Sequence, residues 1–169
     1  MTLTNKTALI TGGKRIGAVV AAELARRGMD LALSYQRSKD EAEATAQTVR
    51  DAGRRAVVLQ ANLSRGEDCA TLVNGAAAAL GRLDVLINMA SVYRSQALAD
   101  IDEARWDESL DVDLKAAYLC ARAAIPHGPR TIPFVSDEVQ ITIETEMHRT
   151  AQPAAESAAS TLPAPEPYR

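Results

Sequence analysis

The residues best suited to chemistry near the start of the chain form the glycine-rich segment Thr11-Gly12-Gly13-Lys14-Arg15-Ile16-Gly17. Glycines let a strand-to-helix turn tighten, and they let the main chain approach a diphosphate without Cβ clashes. The first turn of the following helix offers unpaired N–H groups and a partial positive charge to the anion. The segment therefore predicts a diphosphate site. An ordinary glycine-containing turn is the alternative.

A second cluster follows the second apolar run, in Ser34-Tyr35-Gln36-Arg37-Ser38, where no acid occurs until Asp40. An acid at this point accepts hydrogen bonds from the ribose 2′-hydroxyl of NAD. A 2′-phosphate instead favours guanidinium and hydroxyl donors, which Arg37 and Ser38 supply. Lys14 or Arg15 adds a second positive charge. These residues predict NADP(H) over NAD(H), and a solvated basic surface without a ligand is the alternative.

The elements that position both clusters alternate regularly along the chain. Apolar runs predict four strands, at 7–10, 31–35, 56–60 and 83–88. Helical patterns lie between them, at 16–27, 39–52 and 67–80, and a glycine ends each helix. This alternation is typical of βαβ units and predicts an α/β fold with a parallel sheet.

Two helices carry apolar residues at helical spacing. In the first helix one face holds Ile16, Val19, Val20, Ala22 and Leu24. After a loop over 89–104, a helix over about 105–124 carries one apolar stripe, made of Trp106, Leu110, Leu114, Ala117 and Ala121.

The composition changes near Pro126, because all seven prolines lie from there onward and eight of the nine glycines lie before it. We therefore predict a folded domain over 1–126 and an atypical segment over 127–150. That segment offers short candidate strands at 131–135 and 139–143. Residues 151–169 are rich in Ala, Pro, Ser and Glu, and we expect a disordered tail there.

Several classes of partner are disfavoured. No apolar run reaches the roughly 18 residues that span a bilayer, and the N-terminus has no signal-peptide pattern. Cys69 and Cys120 have no neighbouring Cys or His at metal-ligand spacing. The formal net charge of −3 gives no reason to expect nucleic acid or an acidic membrane. We expect a cytoplasmic protein without a metal site.

Four motifs, in order, resemble the short-chain dehydrogenases/reductases, particularly the pteridine-reductase-like and acyl-carrier-protein-reductase-like members. Thr-Gly-Gly-x-x-Ile-Gly is similar to their cofactor turn, one residue shorter than usual. The second motif is Ala61-Asn62-Leu63-Ser64, with Asn62 where Asp is usual, and the third is Asn88-Met-Ala-Ser91. The fourth is Trp106-Asp-Glu-Ser-Leu-Asp-Val-Asp113-Leu, in the helix that follows. The resemblance covers roughly residues 5–127. It implies a Rossmann-type parallel sheet of order 3-2-1-4 with flanking helices, incomplete at its C-terminal side.

The resemblance and the two clusters together give one set of candidate cofactor-binding residues. These are Gly12, Lys14, Arg15, Ile16, Gly17, Arg37, Ser38, Asn62, Leu63, Asn88, Ala90 and Ser91. The loop from Val92 to Asp100 is expected to form one wall of the pocket, although its sequence does not identify a substrate.

The family resemblance also implies a catalytic tyrosine with a lysine four residues later, and this pair is absent. Tyr35 and Lys39 have the spacing but lie where the adenosine half binds, and Tyr118 is followed by Arg122. Asp113 stands where the family carries a helix asparagine, and a helix-surface charge is its alternative role. Ser136 follows an apolar run as the family serine does, with a surface-loop serine as its alternative.

Three hypotheses follow. The chain is a truncated or rearranged reductase of carbonyl substrates, or a dinucleotide-binding module without catalysis. The third hypothesis is an unstable product whose frame shifts or ends near His127. We expect marginal stability, no measurable turnover, and little dimerisation, because the family assembles through later helices.

Overall fold

The computed structural model describes residues 2–12 and 14–128, which fall within one compact unit. The four strands are β1 (Thr7–Gly12), β2 (Asp30–Tyr35), β3 (Ala56–Gln60) and β4 (Val85–Met89). The helices are α1 (Ile16–Arg26), α2 (Lys39–Asp51), α3 (Gly66–Leu80), α4 (Glu103–Ser109) and α5 (Ala116–Ala124). A π-helical turn, Leu110–Lys115, joins α4 to α5, and short 3-10 turns cover Leu98–Asp100 and Ile125–His127. The candidate strands at 131–135 and 139–143, Ser136 and the tail lie outside the described residues.

The four strands form one parallel sheet in the order β3-β2-β1-β4, which confirms the expected topology. The inner strands β1 and β2 are buried along almost their whole length. Burial on both faces explains why their sequences read as continuous apolar runs. Side chains alternate across the sheet, so that Ala8 and Ile10 of β1 pack in one core with α1 and α2, whereas Leu9 packs in another with α3 and α5.

The three predicted helices end close to the predicted positions, each directly before or within two residues of a glycine with positive φ. The fourth strand begins at Val85 rather than at Leu83. Leu83 is buried in the core that includes α3 and α5, although it precedes the strand.

Only part of the apolar face predicted for α1 packs against the core. Val20 and Leu24 are partly buried against it, whereas Ile16 and Val19 are 69% and 70% exposed. The buried residues of the helix are Gly17, Ala21 and Ala25, which are spaced four apart and therefore lie on one face. Their short side chains allow α1 to pack closely against the sheet.

The predicted fourth helical region is helical from Glu103 to Ala124, with a π-helical turn within it, but its predicted apolar stripe is largely exposed. Trp106, Leu110 and Leu114 are at least 41% exposed. The buried side chains are those of Val112, Ala116 and Cys120, and the last two belong to the core with α3. As in α1, small residues four apart form the contact. The large residues at 106, 110 and 114 are left toward solvent.

The amino ends of β1 and β4 are joined by Asp84, whose carboxylate accepts hydrogen bonds from the Thr7 backbone N–H at 2.9 Å and the Thr7 hydroxyl at 3.2 Å. Lys6 Nζ lies 3.4 Å away, and Arg82 also pairs with the carboxylate. Burial alone would raise the pKa of Asp84, but these donors hold it below its ordinary 3.8. No helix within residues 2–12 and 14–128 has the length and apolar character to cross a bilayer.

We predict that Asp84→Asn lowers the free energy of unfolding by about 1–3 kcal/mol at neutral pH, because charge-assisted bonds to buried donors are lost. Because the donors around Asp84 favour its ionised form and lower its pKa, the carboxylate stabilises the fold above about pH 4. This contribution is lost as the pH falls below that value. Urea unfolding at several pH values should therefore show that the free energies of unfolding of the unmodified chain and of Asp84→Asn become similar in acid. Asp107→Asn, at an exposed position, is the control. Equal destabilisation at pH 3 and pH 7 would contradict the assignment.

Candidate functional site

The turn after β1 is fixed by the close approach of two backbones. Gly12 has a φ of +64°, which only glycine adopts without strain. A Cβ atom at Gly12 would lie 2.8 Å from Ala90 Cα, just beyond the end of β4. Both its conformation and the space around it therefore require glycine at this position.

Two buried hydroxyl side chains hold this turn. Thr11 Oγ1 accepts hydrogen bonds from the N–H groups of Met89 at 3.1 Å and Ala90 at 3.4 Å. Ser34 Oγ, at the end of β2, accepts from the Gly12 N–H at 3.1 Å. Sequence reasoning did not assign these roles to Thr11 and Ser34. A hydroxyl residue near the end of an otherwise apolar strand is the signal that identifies them.

The start of α1 has no side-chain cap. The N-cap residue is Arg15, whose side chain has no acceptor and makes no capping hydrogen bond. The first N–H groups of the helix therefore lack the side-chain acceptor that usually satisfies them. A Cβ at Gly17 would lie 3.3 Å from the Gly12 carbonyl oxygen, so the first turn of α1 packs tightly on the preceding turn. Gly13 lies outside the described residues.

A cavity of about 730 Å³ lies beyond the carboxyl ends of the strands. Ligands of open α/β sheets bind at this edge, where successive strands are added on opposite sides of the first. Every candidate cofactor-binding residue except Asn88 lines the cavity. Asn88 lies in β4, in register with Thr11, and does not belong to the lining.

The charged residues of the lining are mostly cationic. They are Lys14, Arg15, Arg37, Arg94 and Glu41. Lys14 Nζ lies 3.1 Å from Glu41 Oε1, while the other three cations form no ion pair within residues 2–12 and 14–128. Although the whole chain has a formal net charge of −3, this cavity presents four positive groups against one negative group.

The far wall of the cavity is tied to the helix region by Asp113. Its carboxylate accepts hydrogen bonds from Ser91 Oγ and from the Val92 N–H, both at 3.1 Å. Arg105 donates to the Val92 carbonyl. Asp113 lies in the π-helical turn and is not part of the cavity lining. Asp113 therefore connects the π-helical turn to the segment after β4.

Asn62 lines the cavity directly after β3 and holds that segment through hydrogen bonds. Its side-chain oxygen accepts hydrogen bonds from Gln36 Nε2 and Ser64 Oγ, each at 2.9 Å, and its backbone N–H donates to Asp68. Asn62 links the ends of β2 and β3 at the site where the resemblance implies that adenine binds.

Some of the remaining residues considered in the sequence line the cavity and others do not. Tyr35 lines the cavity at the end of β2, whereas Tyr118 lies outside it with the Arg122 guanidinium 5.6 Å from its ring centroid. Of the predicted wall loop, Val92, Tyr93 and Arg94 line the cavity. Sequence reasoning did not single out Glu41, which also lines it.

Comparison with known proteins adds three findings. The family model described as short chain dehydrogenase matches residues 6–131. The chain is 33% identical over 123 residues to the 3-oxoacyl-[acyl-carrier-protein] reductase FabG of Staphylococcus epidermidis, covering 72% of this chain and 50% of that protein. The chain thus spans about half the length of the curated relatives that it matches.

Two solved structures illustrate the similarity of the folds. A short-chain dehydrogenase from Burkholderia cenocepacia in complex with NADP is 36% identical, with a TM-score of 0.72, over 76% of this chain and 53% of that one. An NADH-dependent reductase described as responsible for alginate metabolism is 30% identical, with a TM-score of 0.68, over 74% and 52%.

We predict that Gly12→Ala destabilises the protein more than Gly53→Ala. Both glycines have positive φ, but a Cβ at Gly53 meets nothing within 4 Å, so that variant measures the backbone strain alone. We expect Gly53→Ala to cost about 1 kcal/mol. For Gly12→Ala we expect at least about 1 kcal/mol more, because the backbone of Ala90 must move.

Chemical denaturation of both variants, with dinucleotide binding measured on the folded fraction, checks this comparison. Binding should be lost in Gly12→Ala and kept in Gly53→Ala. Equal losses of stability in the two variants would show that the contact with Ala90 imposes no constraint.

Proposed function

Because the chain belongs to the short-chain dehydrogenase family, we propose that its cavity binds NADP(H) in preference to NAD(H). The chain would serve as the N-terminal, cofactor-binding part of an oxidoreductase acting on carbonyl or alcohol groups. The related structures include a complex with NADP and a reductase named as NADH-dependent, so the preference rests on the residues of this chain.

The observation that carries the proposal is the set of donors at the carboxyl end of β2. Arg37 and Ser38 both line the cavity there, and the lining contains no acid between Ser34 and Ser38. Ser38 is the N-cap of α2, yet its side chain makes no capping hydrogen bond. Its hydroxyl is therefore available to a ligand, as is the Arg37 guanidinium. A phosphomonoester with a charge of about −1.5 to −2 at pH 7 suits this pair.

The other cavity residues would bind the remaining parts of the dinucleotide. The turn at Gly12 and the open start of α1 would hold the diphosphate, as the lack of space for a Cβ and of a side-chain cap both favour. Asn62 and Leu63 would border the adenine. Ala90, Ser91 and Val92, held by Asp113, would border the nicotinamide half. The dinucleotide itself supplies the chemistry of hydride transfer.

Proton transfer would be the missing function in this chain. Tyrosine has an ordinary pKa of about 10 and needs a neighbouring cation to exchange a proton near neutral pH. The cavity-lining Tyr35 lies at the β2 end, beside the residues that would bind the 2′-phosphate. No other Tyr-x-x-x-Lys pair occurs in the sequence. We infer that the 169-residue chain binds the dinucleotide without turning over a carbonyl substrate.

The preference for NADP(H) is tested by titrating NADPH and NADH against the intact chain and following fluorescence. We expect NADPH to bind more tightly, and Arg37→Met to weaken NADPH about tenfold or more while changing NADH by less than about threefold, since a charge-assisted bond contributes about 1.5–3 kcal/mol. Arg26→Met, on the exposed far end of α1, is the matched control. Equal dissociation constants of the unmodified chain for the two dinucleotides would contradict the proposal.

The absence of turnover is tested separately. With saturating NADPH and a broad panel of carbonyl substrates, the absorbance of the reduced nicotinamide should fall no faster with the protein than without it. Steady oxidation of NADPH that depends on this chain would overturn the inference, whatever the binding titration shows.

A further inference from the structure

The one carboxylate in the cavity lining belongs to Glu41, in the first turn of α2. The sequence from Ser38 to Glu41 has the pattern of a capping box, in which the serine hydroxyl accepts from the N–H three residues later and the glutamate accepts from the serine N–H. The box is not closed here, because Ser38 makes no side-chain cap. The Glu41 carboxylate instead pairs with Lys14 at 3.1 Å.

This pair belongs to the lining of the cavity in which the 2′-phosphate would lie. Lys14 extends from the turn after β1 and Glu41 from α2, while Arg37 and Ser38 line the same cavity at the end of β2. The Lys14 and Glu41 side chains are 64% and 55% exposed. An exposed ion pair contributes no more than about a fivefold factor to an equilibrium, so a more highly charged ligand can displace it.

We propose that Glu41 is a specificity-determining residue that weakens the preference for the 2′-phosphorylated dinucleotide by holding the Lys14 ammonium. This inference rests on the proposed function. Binding of NADP(H) requires Lys14 to exchange the carboxylate for the phosphate, and it leaves the carboxylate beside a dianion. Binding of NAD(H) requires neither change. Glu41 therefore acts only on the ligand that carries the extra phosphate.

The charge state of Glu41 is consistent with this role. Its own backbone N–H and the Lys14 ammonium both donate to the carboxylate and lower its pKa. Glu41 is thus ionised at neutral pH, when it competes with the phosphate for Lys14.

The chain contains a matched control for this residue. Glu43 lies two residues farther along the same helix, is paired with Arg50, and does not belong to the cavity lining. Glu43→Gln removes one negative charge from α2 and breaks one exposed ion pair, as Glu41→Gln does. The change in net charge is therefore shared by the two variants, whereas an effect on the cavity is not. Thermal unfolding of each variant measures any difference in helix stability, since Glu41, unlike Glu43, lies in the first turn of α2.

The test measures dissociation constants of NADPH and NADH for the intact chain and for both variants, with thermal unfolding as a check on folding. We expect Glu41→Gln to tighten NADPH about threefold to tenfold and to change NADH by less than about twofold. Glu43→Gln should leave both constants unchanged. A NADPH-to-NADH ratio in Glu41→Gln equal to that in Glu43→Gln would overturn the inference while leaving the proposed function intact.

A second arm shows whether Glu41 acts through Lys14. Lys14→Met should weaken the binding of NADPH but not that of NADH. Adding Glu41→Gln to Lys14→Met should increase the affinity for NADPH by less than half as much as Glu41→Gln does in the unmodified chain. An undiminished gain would overturn the role assigned to Lys14. Adenosine 2′,5′-bisphosphate, compared with adenosine 5′-monophosphate, should reproduce the effects seen for NADPH. If the unmodified chain binds neither dinucleotide, the proposed function fails, and this inference fails with it.

Discussion

The packing of Gly12 against Ala90 determines how closely the carboxyl ends of β1 and β4 approach each other. There is no space for a Cβ between them, and the positive φ of Gly12 directs the chain away from the sheet into α1. Thr11 holds the same junction, because its hydroxyl accepts hydrogen bonds from the N–H groups of Met89 and Ala90. Gly12 and Ala90 both belong to the lining of the cavity, which lies beside this junction.

Charge distinguishes this cavity from the rest of the molecule. Over the described residues, several charged groups form exposed pairs on or beside helices, and such pairs contribute little to stability. The cavity departs from this pattern, since Arg15, Arg37 and Arg94 face it without a carboxylate partner in that part of the chain. Like charges that converge on one cleft are unfavourable to one another and are expected where an anion is to be bound.

The sequence predicted the strands and eleven of the residues that line the cavity, because glycines at helix ends and motifs at strand ends are local signals. The sheet order was predicted from the family resemblance. The sequence was only partly right about the packed face of α1, where Val20 and Leu24 contact the core but Ile16 and Val19 do not, and it was wrong about that of the helix region after β4. There the contacts are made by small residues such as Ala21, Ala25 and Ala116, and apolar size is a poor guide when close packing decides the face. The role of Glu41 could not be predicted either, because its partner Lys14 is far away in the sequence and the capping-box pattern indicates a different bond.

Binding of the diphosphate by backbone N–H groups is the central claim, and amide NMR spectroscopy observes those groups directly. In a titration of the isotope-labelled chain with NADP⁺, the largest shifts should occur at Gly12, Gly17, Arg37 and Ser38, while Gly53 and Gly81, at the opposite ends of their helices, should not move. Saturating NADP⁺ that leaves the amides of Gly12 and Gly17 unshifted, or that shifts only residues outside the cavity, would contradict the account.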